Sequence, residues 1–330
     1  MNRRSFIGTL AGGLLVAPLV AEAQPAGKIA RIGYLATNLR GSPQASHEAF
    51  VEELRGLGYV EGRNVVIEYR DAEGKDERLA ALAAELVALN VDVIVAAAGT
   101  LAALAAREAT RILPIVFIAV GAPVTSGLVT GLARPGGNAT GVTQTNVEVA
   151  PKRLELLHEL LPAARVMAFL VDPSDPKMAE TSANQMRAAA RTLGLELHVL
   201  GASTESDFEA VFAKTNQLQA SGLVIGAGTA TFAGRGVQLA ELATRYAVPT
   251  IGANRVFTAA GGLISYGADI VDAYRLTGGY VGRVLNGEKP ADLPVQQATK
   301  IELRINLKAA KALGITVPLT LLGRADEVIE

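Results

Sequence analysis

Cysteine and tryptophan are both absent from the 330 residues. Without cysteine there is no disulfide, no zinc–thiolate cluster, no thiol nucleophile and no point of attachment for a lipoprotein anchor. The three histidines, His47, His158 and His198, lie far apart and show no ligand spacing, so no metal site is expected. Aromatic residues make up 5%, which leaves no evident platform for stacking bases. Lys and Arg number 31 against 32 Asp and Glu, a formal net charge of −1 with no basic stripe, so nucleic acid is not an expected partner. Gly-x-Ser-x-Gly and Gly-x-x-x-x-Gly-Lys are missing, no histidine stands in a plausible relay, and no cofactor is implied. These absences favour a binding protein over an enzyme.

The first residues are of another kind. "MNRRSFIGTLAGGLLVAPLVAEAQP" has a basic start, an apolar middle and the ending Ala21-Glu22-Ala23, the plan of an export signal over residues 1–23. The apolar run from Phe6 to Val20 is about 15 residues and holds glycines and a proline, short of the roughly 20 a membrane span needs. Arg3-Arg4-Ser5-Phe6-Ile7 resembles the twin-arginine signal, although the general route stays open. No later segment reaches membrane length without charges or breakers. The expectation is a globular protein, soluble after signal cleavage and periplasmic.

From Ile29 onward short apolar runs alternate with helical patterns. "IARIGYLA", "NVVIEY", "VDVIVAAAG" and "PIVFIAV" read as strands, with amphipathic segments between them. The same order recurs in "ARVMAFLV", "LELHVLG", "SGLVIGAG" and "PTIGAN". The offsets are nearly constant: Ile32 to Val166 is 134, Gly58 to Gly194 is 136, Gly99 to Gly228 is 129 and Pro114 to Pro249 is 135. The fold implied is α/β, two doubly wound parallel-sheet lobes of like topology. Residues 28–145 with 267–292 are assigned to the N-terminal lobe, and 146–266 with 293–330 to the C-terminal lobe. Several crossings then make a hinge about which the lobes close.

In such sheets ligands bind beyond the carboxyl ends of the strands. "FLVDPSDPKM" places Asp172, Ser174 and Asp175 at such an end, and Thr37, Asn38 and Ser42 occupy the matching position of the first copy. Ser42-Pro43 and Asp175-Pro176 each read as an N-cap followed by proline at the first helical position, so capping and ligand contact both stand for Ser42 and Asp175. An acid directly at a strand end is not explained by a cap, which makes Asp172 a candidate partner for a solute ammonium. Gly99-Thr100 and Gly228-Thr229 end paired strands, as caps, solute contacts or both. Gln144 at the crossover and Asn254, with Arg255, complete the candidates. Tyr34, Phe117, Phe169, Phe257 and Tyr266 lie near strand ends, where core packing competes with a role in walling an aromatic ligand.

"VDVIVAAAGTLAALAAREATRILPIVF", "GLVTGLARPGGNATGV", "RLELLHELLP" and the ending "YRLTGGYVGRVLNGEKPADLPVQQATKIELRINLKAAKALGITVP" resemble the ABC-transporter substrate-binding proteins of the TrpX/TrpY type. The resemblance covers nearly all of the chain beyond the signal, and the run Leu132–Gly141 is its most specific piece. It implies a type I periplasmic binding-protein fold and a monomer that captures a small solute for a membrane permease. It further implies an amino acid, or an aromatic amino acid-like carboxylate, as that solute. One departure is Ala122-Pro123-Val124, where relatives commonly carry Asp-Pro-Val. The alternatives are an exported α/β enzyme using Asp172, or a receptor reporting solute to a membrane sensor.

Overall fold

The computed structural model describes residues 29–39, 44–97, 99–144, 149–174, 176–227, 232 and 235–330. The export signal and the candidates Ser42, Asp175, Gly228 and Thr229 lie outside the described residues. Along the chain run β1 (Ala30–Ala36), α1 (Gln44–Gly56), β2 (Val65–Asp71), α2 (Leu79–Ala88), β3 (Val93–Ala97), α3 (Thr100–Ala109), β4 (Ile115–Val120) and β5 (Ala139–Gln144). The second copy follows as α4 (Ala150–Leu160), β6 (Val166–Val171), α5 (Pro176–Thr192), β7 (Glu196–Gly201), α6 (Asp207–Gln217), β8 (Leu223–Ile225), α7 (Gly236–Arg245), β9 (Thr250–Gly252), α8 (Arg255–Ala259) and β10 (Ile264–Ala268). The chain ends with α9 (Ile270–Leu285), β11 (Gln296–Ala298), β12 (Ile301–Asn306), α10 (Leu307–Ala312), α11 (Leu319–Leu322) and β13 (Glu327–Ile329). Among the described residues no helix is long and apolar enough to cross a membrane.

Two α/β lobes result. The first sheet has the order β2-β1-β3-β4-β5-β11 and the second β7-β6-β8-β9-β10-β12-β13. Each begins second-first-third-fourth-fifth, so the repeat read in the sequence is a repeat of topology. Every residue of β3 and β4 is buried, because helices cover both faces of the first sheet. On one face α1 and α9 bring Phe50, Leu54, Tyr274 and Val281 against Ile32, Tyr34 and Val95. On the other, α2 and α3 set Leu82, Leu86 and Ala103 against Ile94 and Phe117. The second sheet is sandwiched alike, with Leu157 and Met186 of α4 and α5 over Phe169, and Phe208, Phe212 and Leu239 over Leu170 and Leu223. Each such Leu or Phe contributes roughly 1.5–3 kcal/mol by leaving water.

The passages between lobes differ from the boundaries read in the sequence. Gln296–Ala298, assigned there to the C-terminal lobe, pair in parallel with Val142–Gln144 and extend the first sheet. Leu293 and Val295 likewise pack in first-lobe clusters. The free edge of β5 recruits this short polar segment, and the chain returns to the second sheet only after Thr299. At the other passage β10 stays in the second sheet as far as Ala268, where it meets Ile301 of β12. The chain thus passes between the sheets after β5, β10 and β11. Val142, Ala268, Ala273 and Ala298 pack together where these passages meet.

One irregularity shapes the cleft side of the first lobe. The β4–β5 register shifts between Phe117 and Val120, and Ala119 sits at φ 57°. Gln144 Nε2 donates to Ala119 O at 2.7 Å and Thr143 Oγ1 to Val120 O at 2.6 Å, which pins the bulge. Gly141, at φ 148°, lies so close to β4 that a Cβ there would stand 2.1 Å from Phe117 O.

Candidate functional site

The carboxyl ends of the strands of both sheets supply the polar side chains of the site. In the second lobe, β6 ends at Asp172, which is 3% exposed. Its Oδ1 accepts the Ser174 amide at 2.9 Å, an Asx turn that leads the chain from β6 toward α5. Ser174 is exposed, its amide turned onto that carboxylate. Asp172 belongs to a shallow recess of about 20 Å³ lined otherwise by Ala150, Phe169, Val171, Met178, Ala179, Ser182, Gly226, Ala227 and Phe232. The wall is apolar and Asp172 is its charged group, so the strand ends present an apolar surface and an acid side by side. The strand end fixes the acid, and α5 and the ends of β6 and β8 supply the wall.

Some candidates are structural. Asn254 caps α8, its side chain accepting the Val256 amide at 3.1 Å. Gln144 spends an amide N–H on the β4 bulge. Each side chain thus braces the local backbone. Thr37 and Asn38 are half-buried after β1, where Thr37 O accepts the Gly74 amide at 2.8 Å. Asp71, unnoticed in the sequence, builds this loop by accepting the Leu39 amide at 3.1 Å and the Glu73 amide at 2.9 Å. Gly99 precedes α3 as its N-cap without a side-chain bond, and Thr100 opens the helix half-buried. The Thr100 hydroxyl enters no hydrogen bond among the described residues, so it does not act as the cap. Of the aromatic candidates, Tyr34, Phe117 and Phe257 belong to the core, whereas Phe169 reaches the recess.

Beside Arg255, which the sequence offered as a candidate, the passages between the lobes carry charges that the sequence did not single out. Arg255 grips Glu302 with two hydrogen bonds, Nε–Oε1 at 2.9 Å and Nη2–Oε2 at 2.5 Å, and stands 3.8 Å from Asp269. Arg255 is thus committed within the second lobe, and the bond to Glu302 raises its pKa. Asp269 caps α9 through the Val271 and Asp272 amides and takes Lys300 Nζ at 2.8 Å. Burial pushes the Asp269 carboxyl up, but Lys300, the Asp272 amide and Arg255 together outweigh it and hold the carboxyl below its ordinary range. Lys300 comes from the last passage and Asp269 from the middle one, so this pair joins two hinge segments. Arg153 on α4 is wholly buried and donates to Tyr266 O on β10 at 3.0 Å; burial lowers its pKa to about 10. The signal that could have found the Glu302 site is the alternation of "IELRIN", whose polar positions Glu302, Arg304 and Asn306 share one buried strand face.

Beneath the loop that follows β1, His47 of α1 packs edge-on to Tyr34 with ring centroids 5.4 Å apart, and its Nε2 lies 3.0 Å from the Tyr69 hydroxyl. Burial lowers the His47 pKa, and Glu61 and Glu48 oppose that shift in part. The folded state therefore binds this proton less readily than the unfolded chain. The contribution is fully present above the unfolded value of about 6.5 and is lost as pH falls from there toward the lowered folded value. Chemical denaturation of wild type and His47→Phe across that range checks this: wild type is expected to lose more stability than the variant on acidification. Parallel curves contradict the assignment.

Comparison with known proteins adds the relatives of this architecture. The profile of the family described as ABC transporter substrate binding protein matches residues 41–329. A tyrosine-binding protein of Clostridioides difficile (strain R20291) is 26% identical over 279 residues, spanning 81% of this chain and 76% of that protein. Among solved structures, an ABC domain from Streptococcus pneumonia in complex with L-Trp is 27% identical with a TM-score of 0.80, over 91% of this chain and 99% of that one. A conserved domain protein from Vibrio cholerae O1 biovar El Tor is 28% identical with a TM-score of 0.80, over 91% of this chain and 100% of that one.

Proposed function

The chain belongs to the ABC transporter substrate-binding protein family, and from that premise we propose that it captures a free amino acid with an apolar, aromatic side chain between its lobes. The observation that carries this reading is the buried Asp172 carboxylate at the edge of an apolar recess. The solute ammonium pairs with Asp172, the side chain lies over the apolar wall that Phe169 and Phe232 line, and first-lobe groups at Thr37, Asn38 and Thr100 cover it as the hinge closes. Closure excludes water from both halves of the ligand, which strengthens the charge pair and removes apolar surface from solvent. Two relatives favour the aromatic class: the one named for tyrosine and the one solved with L-Trp. Ala122 follows β4 at the position where the resemblance leads one to expect an acid, so the charge on the solute falls to Asp172. The protein works outside the cytoplasm after removal of residues 1–23 and presents the closed, loaded form to a membrane permease.

A thermal-shift screen of ligand-stripped residues 24–330 against amino acids, small carboxylates, sugars and purines tests the reading. A ligand at 100 times its dissociation constant stabilises by roughly 2.7 kcal/mol, a shift of several degrees. L-Tyrosine or L-tryptophan is expected to produce it. A response to sugars or purines with silence from every amino acid contradicts it.

A further inference from the structure

Two strand ladders approach the boundary between the lobes from opposite sides. In the second sheet β10 and β12 pair antiparallel as far as Ala268 and Ile301. The Asp269 amide donates to Lys300 O at 2.8 Å, which carries that pairing one residue further. From the first sheet, β5 and β11 pair as far as Gln144 and Ala298. On the last passage Thr299 alone separates the two ladders. On the middle passage Asp269 leads straight into α9, whose Tyr274, Tyr280 and Val281 pack in the first lobe. Both passages therefore change lobe over very few residues, and both do so beside one carboxylate.

That carboxylate, Asp269, is buried and divides its partners between the lobes. Its Oδ1 accepts the Val271 amide at 3.0 Å and the Asp272 amide at 3.3 Å, the opening turn of the first-lobe helix α9. Its Oδ2 lies 2.8 Å from Lys300 Nζ, on the residue that enters β12 of the second lobe. Arg255 of α8, also in the second lobe, is tied to Glu302 of β12 and keeps its Nη2 within 3.8 Å of Asp269 Oδ1. A buried charge persists only where donors and opposite charges surround it. Here the amides come from one lobe and the cations from the other. A helix cap explains the amides but not Lys300, which arrives on a different passage.

We propose that Asp269 is the pivot of lobe closure, a single carboxylate that holds the start of α9 and the second-lobe cations at once. The middle and last passages then bend together rather than separately, and the turn falls at Ile270 and Thr299. The pin to Lys300 is a charge pair, which tolerates reorientation better than a backbone bond. It therefore limits the swing of the lobes without locking them. The device rests on the reading that the lobes close about these passages, and it does not depend on which solute is bound.

The absence of native cysteine makes the test direct. Spin labels at Glu52→Cys on α1 and Lys214→Cys on α6, both exposed, report the distance between lobes in ligand-free protein. Lys300→Gln leaves the cap of α9 intact and removes the pin. The share of molecules outside the main distance peak is expected to rise about two- to fivefold, the scale of one solvent-accessible ion pair. Asp269→Asn keeps a capping oxygen and is expected to give at least the same rise. The double variant is expected to add nothing to Asp269→Asn, because both changes break one interaction. Lys300 is 62% exposed, so high salt is expected to move wild type toward the variants. Arg283→Gln is the control: it removes a pair with Glu288 of like exposure that lies wholly at the end of α9. An unchanged distribution in Lys300→Gln, additive effects in the double variant, or an equal rise in Arg283→Gln overturns the pivot. Because the readout needs no ligand, its failure is separable from a failure of the amino-acid assignment.

Discussion

Asp172→Ala is expected to weaken amino-acid binding by about 30-fold or more. The carboxylate is 3% exposed and sits among apolar side chains, so an ammonium brought against it loses its water and has Asp172 as the charge that compensates. Truncating one partner of such a buried charge pair costs roughly 2–5 kcal/mol, which is about 30-fold to several thousand-fold in affinity. Alanine also removes the acceptor of the Ser174 amide, and loss of a turn or cap bond of this kind costs about 1 kcal/mol of stability. Asp172→Asn separates the two roles. Its side-chain oxygen can keep the turn while the charge is gone, so folding stays near wild type and binding is still lost. Calorimetric titration with L-tryptophan and L-tyrosine reads both variants. Wild-type affinity in Asp172→Asn contradicts the charge pairing.

Gly141→Ala is expected to be the most damaging single substitution for the fold. A Cβ at this position would lie 2.1 Å from Phe117 O and 2.6 Å from Phe117 N, contacts with backbone that no rotamer can relieve. The residue also holds φ 148°, which side-chain-bearing residues adopt only under strain. Relief requires β4 and β5 to separate where the bulge at Ala119 is pinned by Gln144 and Thr143. A loss of about 3 kcal/mol or more follows, together with weaker solute binding through the displaced first-lobe strand ends. Gly137→Ala is the control, since a Cβ there meets nothing within 4 Å. Urea unfolding of both variants decides: equal midpoints for the two contradict the steric account.

Much of the architecture was legible because its causes are local and repeated. β3 and β4 read as buried strands since their apolar runs are continuous, and the near-constant offsets between copies reappear as the same strand order in both sheets. The position of Asp172 was legible for a related reason, as an acid at the end of an apolar strand. β11 was not, because "QQA" has no strand character of its own and exists by pairing with the edge of β5. Asn254 and Gln144 occupy strand ends as solute contacts would, but polar groups at such ends also satisfy helix termini and bulges, and spacing alone does not separate the two. Arg153 carried no signal in the sequence; it is buried where its guanidinium donates to Tyr266 O of β10. Of the recess wall, Phe169 was legible as an aromatic at a strand end, whereas Ala150, Met178 and Phe232 come from separate elements and share no linear signal.

The central claim is that a free amino acid is held by its ammonium on Asp172. Isothermal titration of ligand-stripped protein with L-tryptophan and L-tyrosine, each set against its N-acetyl derivative, tests it most directly. Acetylation removes the cationic head and keeps the side chain and the carboxylate. Binding of the free amino acid with at least about a 30-fold loss on acetylation is the predicted result. Equal binding of the two forms, or binding of neither, contradicts it.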